Sequence, residues 1–260
     1  MGKNGNRTIN HAIFDAWNEH SAYLLGFWLA DGSIQLYKFR GFQKYQKRFW
    51  LYNTELELMK RLGTILGKPP LKRNKPSKPG VHKQCYAIMF SSSQVFDFLY
   101  ALVKTLHKSK ECVEVPPVPD PFFHHFVRGF FDGDGCITVI RAKNRHGKVK
   151  PTLHSSFTAG LDTGAFLDNL GARIRAFIPI APKKSYAGKT NRKLLFAQFD
   201  TMLLCEWMYR DATLFMKRKK AIWDAADKER LARSRKYGKK LSHQPDSNGH
   251  KLVTNELSYH

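Results

Sequence analysis

Two hydrophobic periodicities alternate along this chain. Runs with apolar residues at every second position, such as Ser33-Ile34-Gln35-Leu36-Tyr37 and Lys193 to Phe199, predict strands. Apolar residues at helical spacing predict helices over 54–66, 94–106, 163–177, 202–210 and from 214 to about 231. The first of these opens on Asn53-Thr54-Glu55, which offers an N-cap and an acid in the first turn, and it stops at Gly67. Together they give the order helix-strand-strand-helix-strand-strand-helix once before the segment Val115–Pro121 and once after it. Four prolines in those seven residues predict a stiff, extended connector. The architecture is therefore duplicated, although the halves differ in most residues. The divisions expected are an N-terminal extension over 1–20 anchored by Ile13, Phe14 and Trp17, a first domain over 21–114, the linker 115–121, a second domain over 122–233, and a polar, basic tail over 234–260.

Each half opens on a similar helix. In Tyr23 to Ile34 and again in Phe126 to Ile137, small residues recur four apart, Gly26 with Ala30 and Gly129 with Gly133. A glycine inside a helix costs roughly 1 kcal/mol relative to alanine, so an offsetting contact is expected. Small residues on one helical face allow two backbones to approach closely, and the natural partner is the other copy. Gly32 and Gly135 then predict left-handed helix stops. This leaves Asp31 and Asp134 at the negative ends of two adjacent helices, where two acids repel. The placement makes sense if divalent cations lie between them.

Composition sharpens this picture. With 44 Lys and Arg against 21 Asp and Glu, the formal net charge is +23, and 42% apolar residues suffice for one large or two small cores. Such a surplus strains a compact fold unless a polyanion offsets it, and nucleic acid is the favoured partner, ahead of an anionic membrane surface. The bases cluster without acids in four segments: Lys38 to Arg48, Lys68 to Lys83, Arg141 to Lys150, and Lys183 to Lys193. Solvated turns would mix signs, so one-signed hairpins point to a surface that tracks phosphates. The longest apolar stretch, Leu24 to Ala30, is too short to span a bilayer, and the first residues lack a signal-peptide core, so an intracellular protein is expected. Cys85, Cys112, Cys136 and Cys205 show no zinc spacing and read as reduced thiols packed in cores. His124 and His125 point about 100° apart on a helix and read as surface residues. Asp132-Gly133-Asp134-Gly135 is no calcium loop, because its twelfth position is Lys143.

Leu24 to Gly32 and Val127 to Gly135, with Asp31 and Asp134 separated by 103 residues, resemble the two motif copies of a single-chain LAGLIDADG homing endonuclease. The resemblance spans roughly residues 20–225. It implies an α+β fold of two αββαββα domains related by a pseudo-twofold axis, with antiparallel sheets forming a DNA-binding saddle. It also implies that Asp31 and Asp134 are catalytic metal ligands, whereas Asp132 and its counterpart Leu29 are not essential. A lysine near the end of each repeat falls on Lys108 and Lys219, 77 and 85 residues after the respective aspartates. Asn53 suits the family's amide position and serves equally well as a helix N-cap; its second-domain counterpart lies among Ser156, Thr158 and Ala159. Expected DNA contacts are Gln35, Tyr37, Arg40, Lys44, Gln46, Arg48, Arg73 and Lys75 in the first half. In the second they are Thr138, Arg141, Lys143, Arg145, Lys150, His154, Lys184 and Arg192, with strand register deciding which face DNA.

The function so implied is a site-specific endonuclease that breaks both strands of a long asymmetric duplex. The implied cofactor is Mg²⁺, with Mn²⁺ able to substitute and Ca²⁺ supporting binding without cleavage. The chain would act as a monomer, with double-stranded DNA and no membrane as partner. The alternatives are an intron maturase that binds RNA and a DNA-binding regulator without cleavage. From the charge clusters alone, duplex affinity should fall with salt at a log–log slope of about −0.9 per phosphate neutralised. A measured slope shallower than about −3 would mean that few clustered cations touch phosphate.

Overall fold

The structure, a computed structural model, describes residues 9–38, 44–73, 83–111, 114–143, 147, 149–226 and 236. Its elements run α1 (Glu19–Asp31), β1 (Gly32–Lys38), β2 (Tyr45–Asn53), α2 (Leu56–Leu66), β3 (Leu71–Lys72), β4 (Tyr86–Ser91), α3 (Ser93–Val103) and α4 (Lys108–Glu111). They continue with α5 (Asp120–Asp134), β5 (Gly135–Lys143), β6 (Val149–Ala159), α6 (Gly164–Arg175), β7 (Tyr186–Ala187), β8 (Arg192–Phe196), α7 (Gln198–Tyr209) and α8 (Lys217–Asp224). Two four-stranded antiparallel sheets result, ordered β1-β2-β4-β3 and β5-β6-β8-β7. The repeated order is the duplication expected from the helix and strand pattern.

By contacts the chain forms two compact units. Described residues between 9 and 111 group with Pro116–Asp134 and Ala212–Lys217, while described residues of Gly135–Asp211 group with 218–226. Helix α5, which opens the second repeat in sequence, thus packs in the first unit. Its partner there is α1, and the two backbones touch. A Cβ on Gly26 would stand 2.0 Å from the Phe126 carbonyl oxygen, and one on Gly129 would stand 2.0 Å from that of Tyr23. A Cβ on Gly133 would lie 2.3 Å from that of Ala30. Both helices are therefore interior: Ser21 to Leu29 and Phe123 to Asp132 are buried throughout.

Polar groups fasten this pair at its flanks. Asn18 and Ser21 cap the start of α1 reciprocally, with bonds of 3.0 and 2.9 Å. The Arg128 guanidinium, fully buried, donates to Glu19 Oε1 at 2.6 Å and to the Leu214 carbonyl at 2.9 Å. Asp132, also fully buried, accepts from the Tyr23 hydroxyl and the Met216 backbone N–H, both at 2.7 Å. Glu19 further accepts from the Thr213 and Leu214 backbone N–H groups at 2.8 and 2.9 Å.

Several expectations are corrected. The helix expected from 214 begins at Lys217, because the backbone over 213–216 is spent on Glu19, Arg128 and Asp132. Residues 227–231 of that expectation lie outside the described residues. Gly32 has φ −112°, extended rather than left-handed, and begins β1. It is glycine because a Cβ would stand 2.1 Å from the Trp28 ring. Gly135 likewise passes directly from α5 into β5, and among the described glycines only Gly67 and Gly147 have positive φ. Gly67 does close α2, at φ 67°. The alternating run to Phe199 ends as a strand at Phe196, whose carbonyl accepts from Thr201 Oγ1 at 2.8 Å as α7 begins. His124 and His125 are buried at 1% and 6% exposure, not at the surface, since α5 has no solvent stripe there. Cys205 is buried, but Cys136 is exposed, because the register turns its neighbour Ile137 inward. The extension is anchored as expected: Phe14 stacks on Phe98 at 4.7 Å, and Trp17 tilts against the same ring at 6.3 Å.

Gly26→Ala and Gly129→Ala each put a methyl group where a carbonyl oxygen stands. Each should lower the unfolding free energy by about 1–3 kcal/mol, read from urea melts. Parental midpoints in both would refute the backbone contact. Burial pushes the Glu19 carboxyl upward, but hydrogen bonds from Thr213 and Leu214 and the Arg128 charge outweigh it and lower its pKa below the ordinary 4.5. A depressed carboxylate stabilises above its unfolded value and loses that contribution as pH falls through its folded one. Glu19→Gln should therefore melt below the parent at neutral pH, with the gap closing on acidification past about pH 4. A constant gap would show that charge is not the cause.

Candidate active site and nucleic-acid interface

Helix α1 ends on Asp31 and α5 ends on Asp134, and the same glycine contacts that join the helices bring Asp31 against α5. Its Oδ2 lies 3.4 Å from the position a Cβ on Gly133 would take. Asn53, the last residue of β2, donates from Nδ2 to Asp31 Oδ2 at 2.6 Å. Its Oδ1 accepts from the Glu55 N–H at 2.8 Å. It is not the N-cap of α2, which is Glu55 and makes no side-chain cap bond; Asn53 holds the turn that leads into the helix and bonds the Asp31 carboxylate.

The two lysines each bond backbone carbonyls. Lys108 Nζ donates to the carbonyls of Leu29 at 2.5 Å and Ala30 at 3.2 Å, and lies 5.5 Å over the Trp28 ring. Lys219, at 1% exposure, donates to the Gly135 carbonyl at 2.5 Å. A cation on the last carbonyls of a helix satisfies orphan acceptors and opposes the negative helix pole. Lys108 does this for α1, whereas Lys219 holds the first carbonyl of β5. The register also aligns the repeats: Gly32 pairs with Leu51 and Gly135 with Phe157, so the position matching Asn53 is Ala159. The second repeat carries no amide there.

In the first sheet, Phe49 and Leu51 point into the core, which turns Gln46, Arg48, Trp50 and Tyr52 to the other face of β2. Cross-strand pairing adds Gln35 opposite Arg48 and Tyr37 opposite Gln46. Arg48 lies 3.6 Å over the Tyr37 ring. Arg73 sits 4.8 Å over Tyr52 and 5.9 Å over Trp50. Burial raises the Tyr52 phenol pKa, with the Arg73 charge opposing it. Five expected contact residues, Gln35, Tyr37, Gln46, Arg48 and Arg73, therefore share one face, and Lys44 is exposed just before β2. Trp50 and Tyr52 were missed by the sequence reading, although the inward positions of Phe49 and Leu51 would have assigned them to this face.

In the second sheet, Ile137, Leu153 and Phe157 are buried, which puts Thr138 and its partner His154 together on the opposite face with Cys136 and Ser156. Arg141 pairs with Pro151 on the Ile137 side, away from Thr138 and His154. Arg192 is also on the core side: its Nε and Nη2 donate to the Ser185 hydroxyl and carbonyl, and a Cβ on Gly164 would stand 2.4 Å from its Nε. The structure brings neither arginine to the face expected of it, because both have the parity of inward residues. Lys184 is exposed, next to Lys183, which pairs with buried Asp200. Arg40, Lys75 and Arg145, and the side chains of Lys143 and Lys150, lie outside the described residues.

The structure of I-SmaMI, a LAGLIDADG homing endonuclease bound to cleaved DNA, matches at a TM-score of 0.54 over 80% of this chain and 87% of that one, at 15% identity. The chain has the LAGLIDADG endonuclease fold. The LAGLIDADG meganuclease I-CpaMI, bound to uncleaved DNA, matches at 0.53 over 93% of this chain and all of that one, at 11% identity. I-SmaMI bound to uncleaved DNA in the presence of calcium ions matches at 0.55 over 87% and 94%, at 14% identity. No protein-family model matches the sequence, and no curated protein does. Among the described residues, no helix is long and apolar enough to cross a membrane. The two segments that resemble the family's motif form α1 and α5, which end on Asp31 and Asp134 and touch at Gly26 and Gly129.

Proposed function

We propose that this protein is a site-specific DNA endonuclease that breaks both strands of a long, asymmetric duplex and acts as a monomer. The observation that carries the reading is the pair of acidic helix ends, Asp31 and Asp134, on two helices locked backbone to backbone at Gly26 and Gly129. Carboxylates at negative helix poles are unfavourable on their own. Within a chain of net charge +23 they are cations' ligands rather than solubilising charges. Structural neighbours captured on cleaved DNA and on DNA with calcium support the reading.

The donor set suits a hard divalent ion, since carboxylate oxygens are the ligands Mg²⁺ and Mn²⁺ take. Asp31 and Asp134 would hold it, and Asn53 keeps the Asp31 oxygen oriented from behind. Bound there, the ion would supply Lewis-acid stabilisation at the phosphate and an activated water. The remaining work belongs to the chain. Lys108 and Lys219 bring positive charge beside the scissile phosphates while anchored to the carbonyls of Leu29, Ala30 and Gly135. Gln35, Tyr37, Gln46, Arg48 and Arg73, with Thr138 and His154, meet the duplex, whose major groove admits a two-stranded ribbon.

Asp31→Asn and Asp134→Asn keep shape while removing charge. Each should fold at least as stably as the parent and bind duplex selected from a randomised library in Ca²⁺, yet lose double-strand cleavage of that site in a Mg²⁺ plasmid assay. Asp132→Asn should leave cleavage nearly intact and act on stability, since Asp132 holds Tyr23 and Met216 inside the first unit. Cleavage at the parental rate by either of the first two variants would refute the site. Selection of structured RNA in place of duplex would favour the maturase reading.

A further inference from the structure

Resting on that function, we infer that Arg48 is a specificity-determining residue that reads a guanine, with Tyr37 and Gln46 as the residues that position it. Arg48, Gln46, Tyr37 and Gln35 form one cluster on the β1–β2 ribbon, opposite the face that buries Phe49 and Leu51. The guanidinium is held in two ways. Its Cζ lies over the Tyr37 ring, 3.6 Å from the centroid, and its Nε and Nη2 donate to Gln46 Oε1 at 3.3 and 3.2 Å.

These bonds give the cluster a polarity. A guanidinium has donors and no acceptor, so it fixes the Gln46 carboxamide with the oxygen toward Arg48 and the amide hydrogens on the other branch. The acceptor of Gln46 is engaged by Arg48, so the groups that this pair can offer a base are donors. In the major groove, guanine is the base that shows two acceptors, N7 and O6, and a planar arginine fork matches them bidentately. Adenine and cytosine each place an amino donor there, which a donor surface cannot satisfy. Stacking on Tyr37 removes rotamer freedom from a long side chain before DNA arrives, so less order is lost on binding.

The test profiles cleaved ends from a randomised duplex library in Mg²⁺, alongside bound duplexes selected in Ca²⁺. The parent should favour guanine at one position by about tenfold or more, the discrimination a bidentate contact provides. Arg48→Ala should flatten that position and leave the others intact. Arg48→Lys keeps the charge without the fork and should flatten the same position while the salt dependence of affinity stays parental. Tyr37→Ala should weaken the preference, and Tyr37→Phe, which retains the ring, should restore it; a merely structural tyrosine would not act on one base. Should Arg48→Ala fail to fold, the lysine variant and the Tyr37 pair carry the test. An Arg48→Lys profile matching the parent at every position, or a loss spread evenly over the site, overturns the inference while leaving the endonuclease reading intact. A parent that neither selects nor cuts any duplex overturns both.

Discussion

The contact between α1 and α5 is the constraint on which the rest depends. Gly26 and Gly129 each sit where a methyl group would strike the opposing backbone, and Gly133 faces Ala30 in the same way. Glycine weakens each helix taken alone, and the close approach recovers that loss through packing along two buried helices. The contact also fixes the helices along their axes. Because both end just past their small-residue faces, Asp31 is held against α5, and the carboxylate positions follow from backbone sterics rather than from charge.

Charge is then accommodated around that geometry. The flanks of the helix pair are joined by Arg128 with Glu19 and by Asp132 with Tyr23 and Met216, each of which satisfies a buried group. Breaking one member of a buried pair is costly because the other remains charged without a partner. These bonds draw the backbone over 213–216 against α1 and α5, and delay the start of α8 to Lys217. At the opposite end of α1, Lys108 takes the carbonyls of Leu29 and Ala30, so positive charge stands beside that acidic helix end, while Lys219 takes the first carbonyl of β5.

The sheets present a different chemistry on each face. The core of the first sheet is aliphatic and aromatic at Ile34, Phe49 and Leu51, whereas the outward face of β1 and β2 combines rings with cations: Tyr37 under Arg48, and Trp50 and Tyr52 beside Arg73. Such stacks hold long basic side chains in defined directions, which suits recognition better than a solvated lysine turn does. The repeats are not equivalent in this respect, since the second sheet offers Thr138 and His154 at the corresponding pair and alanine at the position of Asn53.

Local periodicity along the chain determined the duplicated helix and strand order, the small-residue stripes of α1 and α5, the two carboxylates at their ends and the stop of α2 at Gly67. Each of these rests on residues within a few positions of one another, where sterics and hydrogen bonding are local. Lys108 and Lys219 were singled out by the family resemblance, and the carbonyls they bind were not legible in the sequence. Only the tertiary structure decided that Arg141 and Arg192 have inward parity while Trp50 and Tyr52 face outward, because register depends on which partner strand pairs and a one-residue shift exchanges the faces. It alone decided that Glu19 meets Arg128 across 109 residues and that Asp132 meets Tyr23 across the same distance. Nothing in the neighbourhood of a residue records a partner so remote, since such pairs are chosen by the packing of α1 on α5.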